Sequence, residues 1–267
     1  MNTNTVVLIT GCSSGLGRGL CEKLNKNGYI VIASARNKEN LNDVPASMKL
    51  QIDVTDNNSI LDAIKQIINT YGKIDILINN AGFSTRGAIE EIKLNDVKKI
   101  FDVNVFGIIN MLQNVIPIMR KNKYGKIINI GSISGKFAQA LNGNYCASKH
   151  AVEAISDAMR LELHDFNIMS TVIEPGAMNT NFFNTLANTS QDLMINSSSP
   201  YSKMYKNDIN NRKIQKRMDT SLVADKIVKI ISKKKLKPRY KVAVECKIKF
   251  LLHMPDSLKD FLLLSFN

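Results

Sequence analysis

Tyr145 and Lys149 stand four residues apart in Tyr145-Cys146-Ala147-Ser148-Lys149. On a helix such a pair shares one face, about one turn apart. A tyrosine with an ordinary pKa near ~10 is a poor base at neutral pH. Lowering it by ~3 units requires ~4 kcal/mol of preference for the phenolate. One cation at ~4 Å, in an effective dielectric near ~20, supplies about that much. The pair therefore reads as an acid–base couple in which Lys149 activates Tyr145. Tyr and Lys are common on helices, so the pair gains weight only in combination. Its companion is Thr10-Gly11-Cys12-Ser13-Ser14-Gly15-Leu16-Gly17. Gly11 permits a tight turn, Gly15 lets the backbone approach a pyrophosphate, and Gly17 allows close helix–strand packing. A helix N-terminus there offers N–H groups and partial positive charge to phosphate. No Lys-Ser/Thr follows, which excludes a P-loop.

These groups need a scaffold that brings them to one edge. Val6–Thr10 is a short β-branched run and reads as a buried strand. A helix follows to about Asn27, closed by Gly28. Further strands are expected at Tyr29–Ala33, Leu50–Val54, Ile74–Ile78, Lys126–Ile130, Ile168–Ile173 and Tyr240–Val244. Helical patterns cover Asp56–Thr70, with Thr55 as N-cap and Gly72 as stop, and about Asn95–Lys121, with kinks expected at Gly107 and Pro117. They continue at Asn144–Phe166 and Leu222–Ile231. Strands alternating with helices predict an α/β, doubly wound parallel sheet with helices on both faces, a single Rossmann-like domain over residues 1–267. Residues 179–217 are polar and weakly periodic, and are expected to form a substrate loop or lid. Residues 246–267 are expected to form a capping helix.

The spacing of the glycine turn is GxxxGxG. Together with the YxxxK pair, it resembles the short-chain dehydrogenase/reductase family, whose cofactor loop has a TGxxxGxG form. The resemblance is dense over residues 5–180. It implies that Thr10, Gly11, Ser13, Ser14, Gly15, Leu16 and Gly17 cradle a nicotinamide dinucleotide. Asp53-Val54 matches the family's adenine contact, and Asn79-Asn80-Ala81-Gly82 its NNAG turn, in part structural. Ser132, 13 residues before Tyr145, matches the serine that bonds the substrate oxygen, with Ser134 as competitor. Asn104 matches the residue that bends its helix and holds a water in a proton relay with the lysine. Glu174-Pro175-Gly176-Ala177-Met178-Asn179-Thr180 resembles the PGxxxT segment, in which Pro175 and Gly176 wall the nicotinamide and Thr180 holds its carboxamide. Tyr145 and Lys149 take the catalytic places, and the lysine also contacts the cofactor ribose.

An NAD site places an acidic residue about 20 residues after the cradle. Here that place falls on Ala35, next to Arg36. A guanidinium suits a 2′-phosphate, so NADP(H) is favoured over NAD(H). The alternative for Arg36 is a solvated loop arginine. The implied reaction interconverts an alcohol and a carbonyl compound. Phe83, Phe137, Leu141, Phe182 and Phe183 are the candidate substrate wall, and their apolar character points to a steroid-, retinoid- or lipid-like substrate. The rival reading is an NADP(H)-sensing binding protein with little turnover.

Composition bounds the rest. Hydrophobic residues make up 44% and charged residues 22%, a globular balance. Cys12, Cys21, Cys146 and Cys246 are scattered, so neither a zinc site nor a disulfide scaffold is expected. With no basic n-region before an apolar core, and no ~18-residue uncharged apolar run, a cytoplasmic protein is expected. The net charge of +13 is concentrated in residues 203–249, which carry +12. With 30 asparagines in the chain, this reads first as Lys-rich surface composition. Few aromatics and no recognition motif accompany it, so no nucleic acid is expected. Basic residues beside an apolar C-terminal helix suggest membrane contact as a less favoured alternative to a core cap or a homodimer or tetramer interface.

Overall fold

The computed structural model describes residues 4–179, 191–214 and 217–265. Among these, seven parallel strands form the main sheet in the order β3-β2-β1-β4-β5-β6-β9. They are β1 (Val6–Ile9), β2 (Ile30–Ala35), β3 (Met48–Gln51), β4 (Ile76–Asn79), β5 (Gly125–Ile130), β6 (Ile168–Pro175) and β9 (Arg239–Val242). Every residue of β1, β4 and β5 is buried. That is why β1 and the first three residues of β4 read as continuous apolar runs rather than alternating ones. A small separate ladder pairs β7 (Met178–Asn179) with β8 (Met218–Asp219).

One face of the sheet is covered by α1 (Gly15–Lys26) and α8 (Thr220–Ile231), which pack Leu20 and Leu24 with Val223, Ile227 and Ile231. The other face carries α2 (Asn57–Tyr71), α3 (Leu94–Phe101), α4 (Gly107–Lys121) and α5 (Gly143–Glu162). Its core includes Ile60, Ile67, Met111, Val115, Met119 and Val152. The stretch Leu94–Lys121 is long and apolar enough to cross a bilayer, yet Met111, Val115 and Met119 are fully buried against the sheet. It is a core helix.

The chain runs outward from β1 to β3 and then returns to place β4 beside β1. Open sheets of this kind hold ligands at such a reversal, outside the carboxyl ends of the strands. Parallel pairing puts all those ends on one edge. Thr10, Arg36, Asn80 and Gly176 each directly follow a strand and Ser132 lies two residues after one, and so they gather there.

Several boundaries differ from the sequence reading. Strand β3 ends at Gln51, because Asp53 folds into a turn and accepts hydrogen bonds from Thr55 N (2.9 Å) and Thr55 Oγ1 (2.7 Å). Asp56, not Thr55, caps α2, accepting from Asn58 N at 2.9 Å. Between α3 and α4 the helix widens into a π-turn over Asp102–Phe106, while α4 runs on through Pro117. Gly107 also serves close packing: a Cβ there would lie 2.6 Å from Val54 Cγ2. Helix α5 stops at Glu162 and a 3-10 turn, His164–Phe166, follows.

The expected lid contains two helices, α6 (Gln191–Ile195) and α7 (Ser202–Ile214). Fully buried Tyr205 anchors it, accepting from Ala88 N (2.9 Å) and donating to Glu91 Oε2 (2.6 Å). The C-terminal cap is two helices, α9 (Cys246–Leu251) and α10 (Asp256–Ser265), interrupted at Pro255. A proline disfavours helix in the residue before it and lacks the N–H to continue one. Leu251 is buried, whereas Phe250, Phe261 and Leu264 are about 70% exposed, Phe250 on the rim of the cleft described below. This cap covers with one face only.

Candidate active site

A cleft of about 1690 Å³ runs along the carboxyl edge of the sheet. Its walls include Gly11, Ser13, Ser14, Gly15, Leu16, Arg36, Asp53, Val54, Asn80, Ala81, Gly82, Ser132, Tyr145, Lys149, Pro175 and Gly176. Thr180, Phe182 and Phe183, also expected at the site, lie outside the described residues.

The cradle has the shape that its glycines predict. Gly11 and Gly15 have φ of +72° and +57°, conformations that disfavour a Cβ. A Cβ on Gly17 would fall 2.3 Å from Gly11 O. Ser14, in extended conformation, makes no side-chain cap, and Ser14, Gly15 and Leu16 line the cleft at the positive end of α1. Thr10 fixes the turn from beneath, its Oγ1 accepting from Asn80 N and Ala81 N at 3.0 Å each. Asn80 Nδ2 donates to Thr10 O (2.9 Å) and Gly11 O (3.0 Å). These contacts make a rigid oxyanion cradle, and the site fits a dinucleotide. Arg36 is exposed on the cleft wall directly after β2. Gly176 has a packing reason of its own, since a Cβ there would meet Ala243 O at 2.2 Å.

A buried polar chain sets α5 against the sheet. Asn79 Nδ2 donates to Asn129 Oδ1, Asn129 Nδ2 to Ser156 Oγ, each at 2.8 Å, and Ser156 Oγ to Val152 O at 2.6 Å. Two strands and the helix bearing Tyr145 and Lys149 are thereby locked together. Fully buried Asn104, inside the π-turn, accepts from Phe83 N (3.1 Å) and donates to Phe83 O (2.9 Å) and Ser148 Oγ (3.1 Å). Widening the helix gives an otherwise unfavourable mid-helix Asn these partners.

Ser132 Oγ accepts from Ser134 N at 3.1 Å, and its hydroxyl interacts favourably with the Tyr145 phenolate. Spacing alone left Ser134 as a competitor; both serines line the cleft with Tyr145, and Ser132 is the one that favours the Tyr145 phenolate. The electrostatics correct the sequence argument. Burial pushes Tyr145 up to about 12, and the Ser132 hydroxyl only partly opposes it. Lys149 Nζ donates to Ile130 O at 2.8 Å and stands 5.8 Å from the Tyr145 ring centroid. Burial brings Lys149 down to about 8, against the opposing pull of Glu153. At neutral pH Tyr145 is therefore a protonated phenol.

A family profile for short chain dehydrogenases matches residues 5–191. This chain belongs to the short-chain dehydrogenase/reductase family. A probable short-chain type dehydrogenase/reductase, VdlC, of Helicobacter pylori is 34% identical over 96% of both chains. A 3-ketodihydrosphingosine reductase of Bacteroides thetaiotaomicron is 43% identical over 66% of this chain and 65% of its own. Among solved structures, a short-chain dehydrogenase from Streptomyces avermitilis superposes with a TM-score of 0.82 at 27% identity, covering 98% of this chain and 96% of that one.

On its substrate side, this short-chain dehydrogenase/reductase differs from the apolar wall expected. Phe83 and Phe137 line the cleft, joined by Phe250, Leu251, Met254, Leu262 and Leu263 of the C-terminal segment. Leu141 does not: it packs with Ala88 and Tyr205 under α7. Beside the apolar wall lies a charged corner that the sequence reading missed. Arg86, Asp208, Arg212 and Arg217 all line the cleft. Asp208 pairs with Arg86 Nη1 at 3.3 Å and with Arg212 Nε at 2.9 Å. The signal was present in the +12 charge of residues 203–249, but a charge count does not separate a solvated face from a lining one.

Proposed function

We propose that this chain is an NADP(H)-dependent oxidoreductase interconverting an alcohol and a ketone on a largely apolar substrate. The observation carrying this reading is that Ser132, Tyr145 and Lys149 line one cleft with the glycine cradle. NADP(H), bound along the cleft, supplies or accepts the hydride. The residues named below do the rest. Gly11, Ser13, Ser14, Gly15, Leu16 and Gly17 receive the phosphates. Arg36, where an NAD site would carry an acid, supports NADP(H) over NAD(H). Asp53, Val54 and Asn80–Gly82 shape the adenine and ribose region, and Pro175–Gly176 back the nicotinamide end.

Ser132 polarises the substrate oxygen, and Tyr145 transfers the proton there. A phenol protonated at neutral pH is in the state that donates to a carbonyl oxygen in the reductive direction. Lys149 holds the cofactor ribose and, with Asn104, resupplies the proton. Phe83, Phe137 and the apolar residues of α9 and α10 support a hydrophobic carbonyl substrate, as does a relative named for reducing 3-ketodihydrosphingosine. The test is NADPH oxidation across a panel of long-chain ketones, with NADH in parallel. Turnover that favours NADPH and apolar ketones is expected. Cofactor binding with no turnover on any carbonyl compound would make the chain a nucleotide sensor.

A further inference from the structure

Behind the reacting end of the cleft lies a cluster of charges with no task in the reaction just described. Two carboxyl groups, Glu153 of α5 and Glu174 of β6, are buried there, Glu174 fully. Lys136, directly after the 3-10 turn Ile133–Gly135, and Arg239, the first residue of β9, close on them. Their focus is Glu153 Oε2, 3.0 Å from Lys136 Nζ and 3.1 Å from Arg239 Nε. Glu174 Oε1 stands farther from the same two cations, at 3.8 and 3.4 Å. Arg239 also reaches Asp157 at 2.7 Å, and Arg160 pairs with the other oxygen of Asp157 at 3.2 Å. Lys241 of β9 bears on Glu174 as well. Burial first, and then Glu153, push Glu174 up, which disfavours its charged form.

An ion-pair network that only braced the fold would need no particular relation to the reacting groups. Glu153 has one. It follows Lys149 by four residues, so the two side chains share a face of α5. Both pack on one glycine: a Cβ on Gly135 would lie 2.9 Å from Lys149 O and 3.2 Å from Glu153 Cγ. Lys149 Nζ donates to Ile130 O at 2.8 Å. Glu153 Oε1 lies against the next residue, 3.3 Å from where a Cβ on Gly131 would stand. Ammonium and carboxylate therefore flank one peptide unit. Tyr145, beside the ammonium, is a neutral phenol at pH 7 and supplies no counter-charge. Burying an ammonium is costly unless an opposite charge compensates it, and Glu153 is the charge that opposes this cost in Lys149.

We propose that Glu153 is a positioning residue for the reaction: held by Lys136 and Arg239 behind the Ile130–Gly131 peptide, its carboxylate keeps Lys149 an ammonium at the reacting end of the cleft. This rests on the oxidoreductase reading above and adds a residue to it. Lys136 and Arg239 fix the carboxylate in place, and Lys149, kept charged, holds the ribose and resupplies the proton.

Lysine labelled with carbon-13 at Cε lets the titration of Lys149 be followed by NMR in the full chain, its signal being the one missing from Lys149→Met. In Glu153→Gln the Lys149 midpoint is expected to fall by about one pH unit, tenfold in proton affinity. Glu153→Asp, which keeps the charge, should recover most of that fall. Glu174→Gln, the same change in the neighbouring carboxyl, should leave the midpoint in place. A network that served only to brace the fold would not move this titration. If Glu153→Gln does not fold, Lys136→Gln/Glu153→Gln, which removes an ion pair rather than one charge, is measured instead, with the same fall expected. An unmoved midpoint overturns the proposal and leaves the reductase reading intact. An equal fall in Glu174→Gln also overturns it, by making the effect one of the whole cluster.

In parallel, the pH profile of kcat is recorded for NADPH oxidation with long-chain ketones. An ammonium that resupplies the proton makes turnover fall as pH rises through its pKa. Glu153→Gln should therefore move that falling limb to lower pH by about the same one unit and leave the ketone KM unchanged. A limb that stays put while the NMR midpoint falls removes Glu153 from the reaction. A fallen midpoint with no turnover of any ketone sinks the reductase reading, and the part of Glu153 in the reaction with it.

Discussion

Lys149 Nζ donates to the main-chain oxygen of Ile130, 2.8 Å away. The bond stitches α5 to the end of β5 and places a buried ammonium within 5.8 Å of the Tyr145 ring. Its folded pKa of about 8 lies below the ordinary 10.5, so between those values the unfolded chain binds more protons. Stability from this group therefore rises with pH through that window. Relative to Lys149→Met, the wild-type protein should gain a few kcal/mol on going from neutral pH to about 10. Urea unfolding midpoints of both proteins across that range measure it, other titrations cancelling in the difference. A difference that stays flat would mean the ammonium is not desolvated.

Tyr145→Phe keeps the half-buried ring and removes the ionisable oxygen. Turnover should fall by at least about a hundredfold, the low end for a lost proton donor, with NADPH binding retained. Steady-state kinetics beside fluorescence titration of NADPH separates the two effects. Near-normal kcat would remove Tyr145 from the chemistry.

Arg36→Ala should weaken NADPH binding by about 1.5–3 kcal/mol, the range for a charge-assisted hydrogen bond, and leave NADH nearly unchanged. Paired Kd measurements decide it. A wild-type preference for NADH would return Arg36 to the status of a solvated loop residue.

Thr10→Val keeps the shape and loses the oxygen that accepts from Asn80 N and Ala81 N. Leaving those two N–H groups without that acceptor should cost about 1–3 kcal/mol of stability. The glycine turn should also loosen, raising the Kd for NADPH. Chemical denaturation and nucleotide titration of the same variant test both. Intact stability with intact binding would show that water replaces the hydroxyl.

The alternation of buried strands and amphipathic helices, the glycine cradle, and the Tyr145–Lys149 pair on one helix are all local patterns. They were legible because hydrophobic period and turn chemistry act within a few residues. Parallel topology then carried Thr10, Asn80 and Ser132 to one edge without further information. Ends of elements were less legible, because Asp53 and Asp56 chose side-chain partners in their own turns and stopped or started elements there. Tertiary structure alone decided the ionisation of Tyr145, since burial comes from the whole surrounding chain and outweighs a nearby cation. It also decided which basic residues face inward. Arg212 and Arg217 sit in a polar segment with no apolar period, and their place on the cleft depends on one buried tyrosine, Tyr205, anchored to Glu91 more than a hundred residues earlier. No rule of spacing encodes that contact. It exists because the tyrosine hydroxyl, once buried, must find an acceptor, and only the folded chain brings one to it.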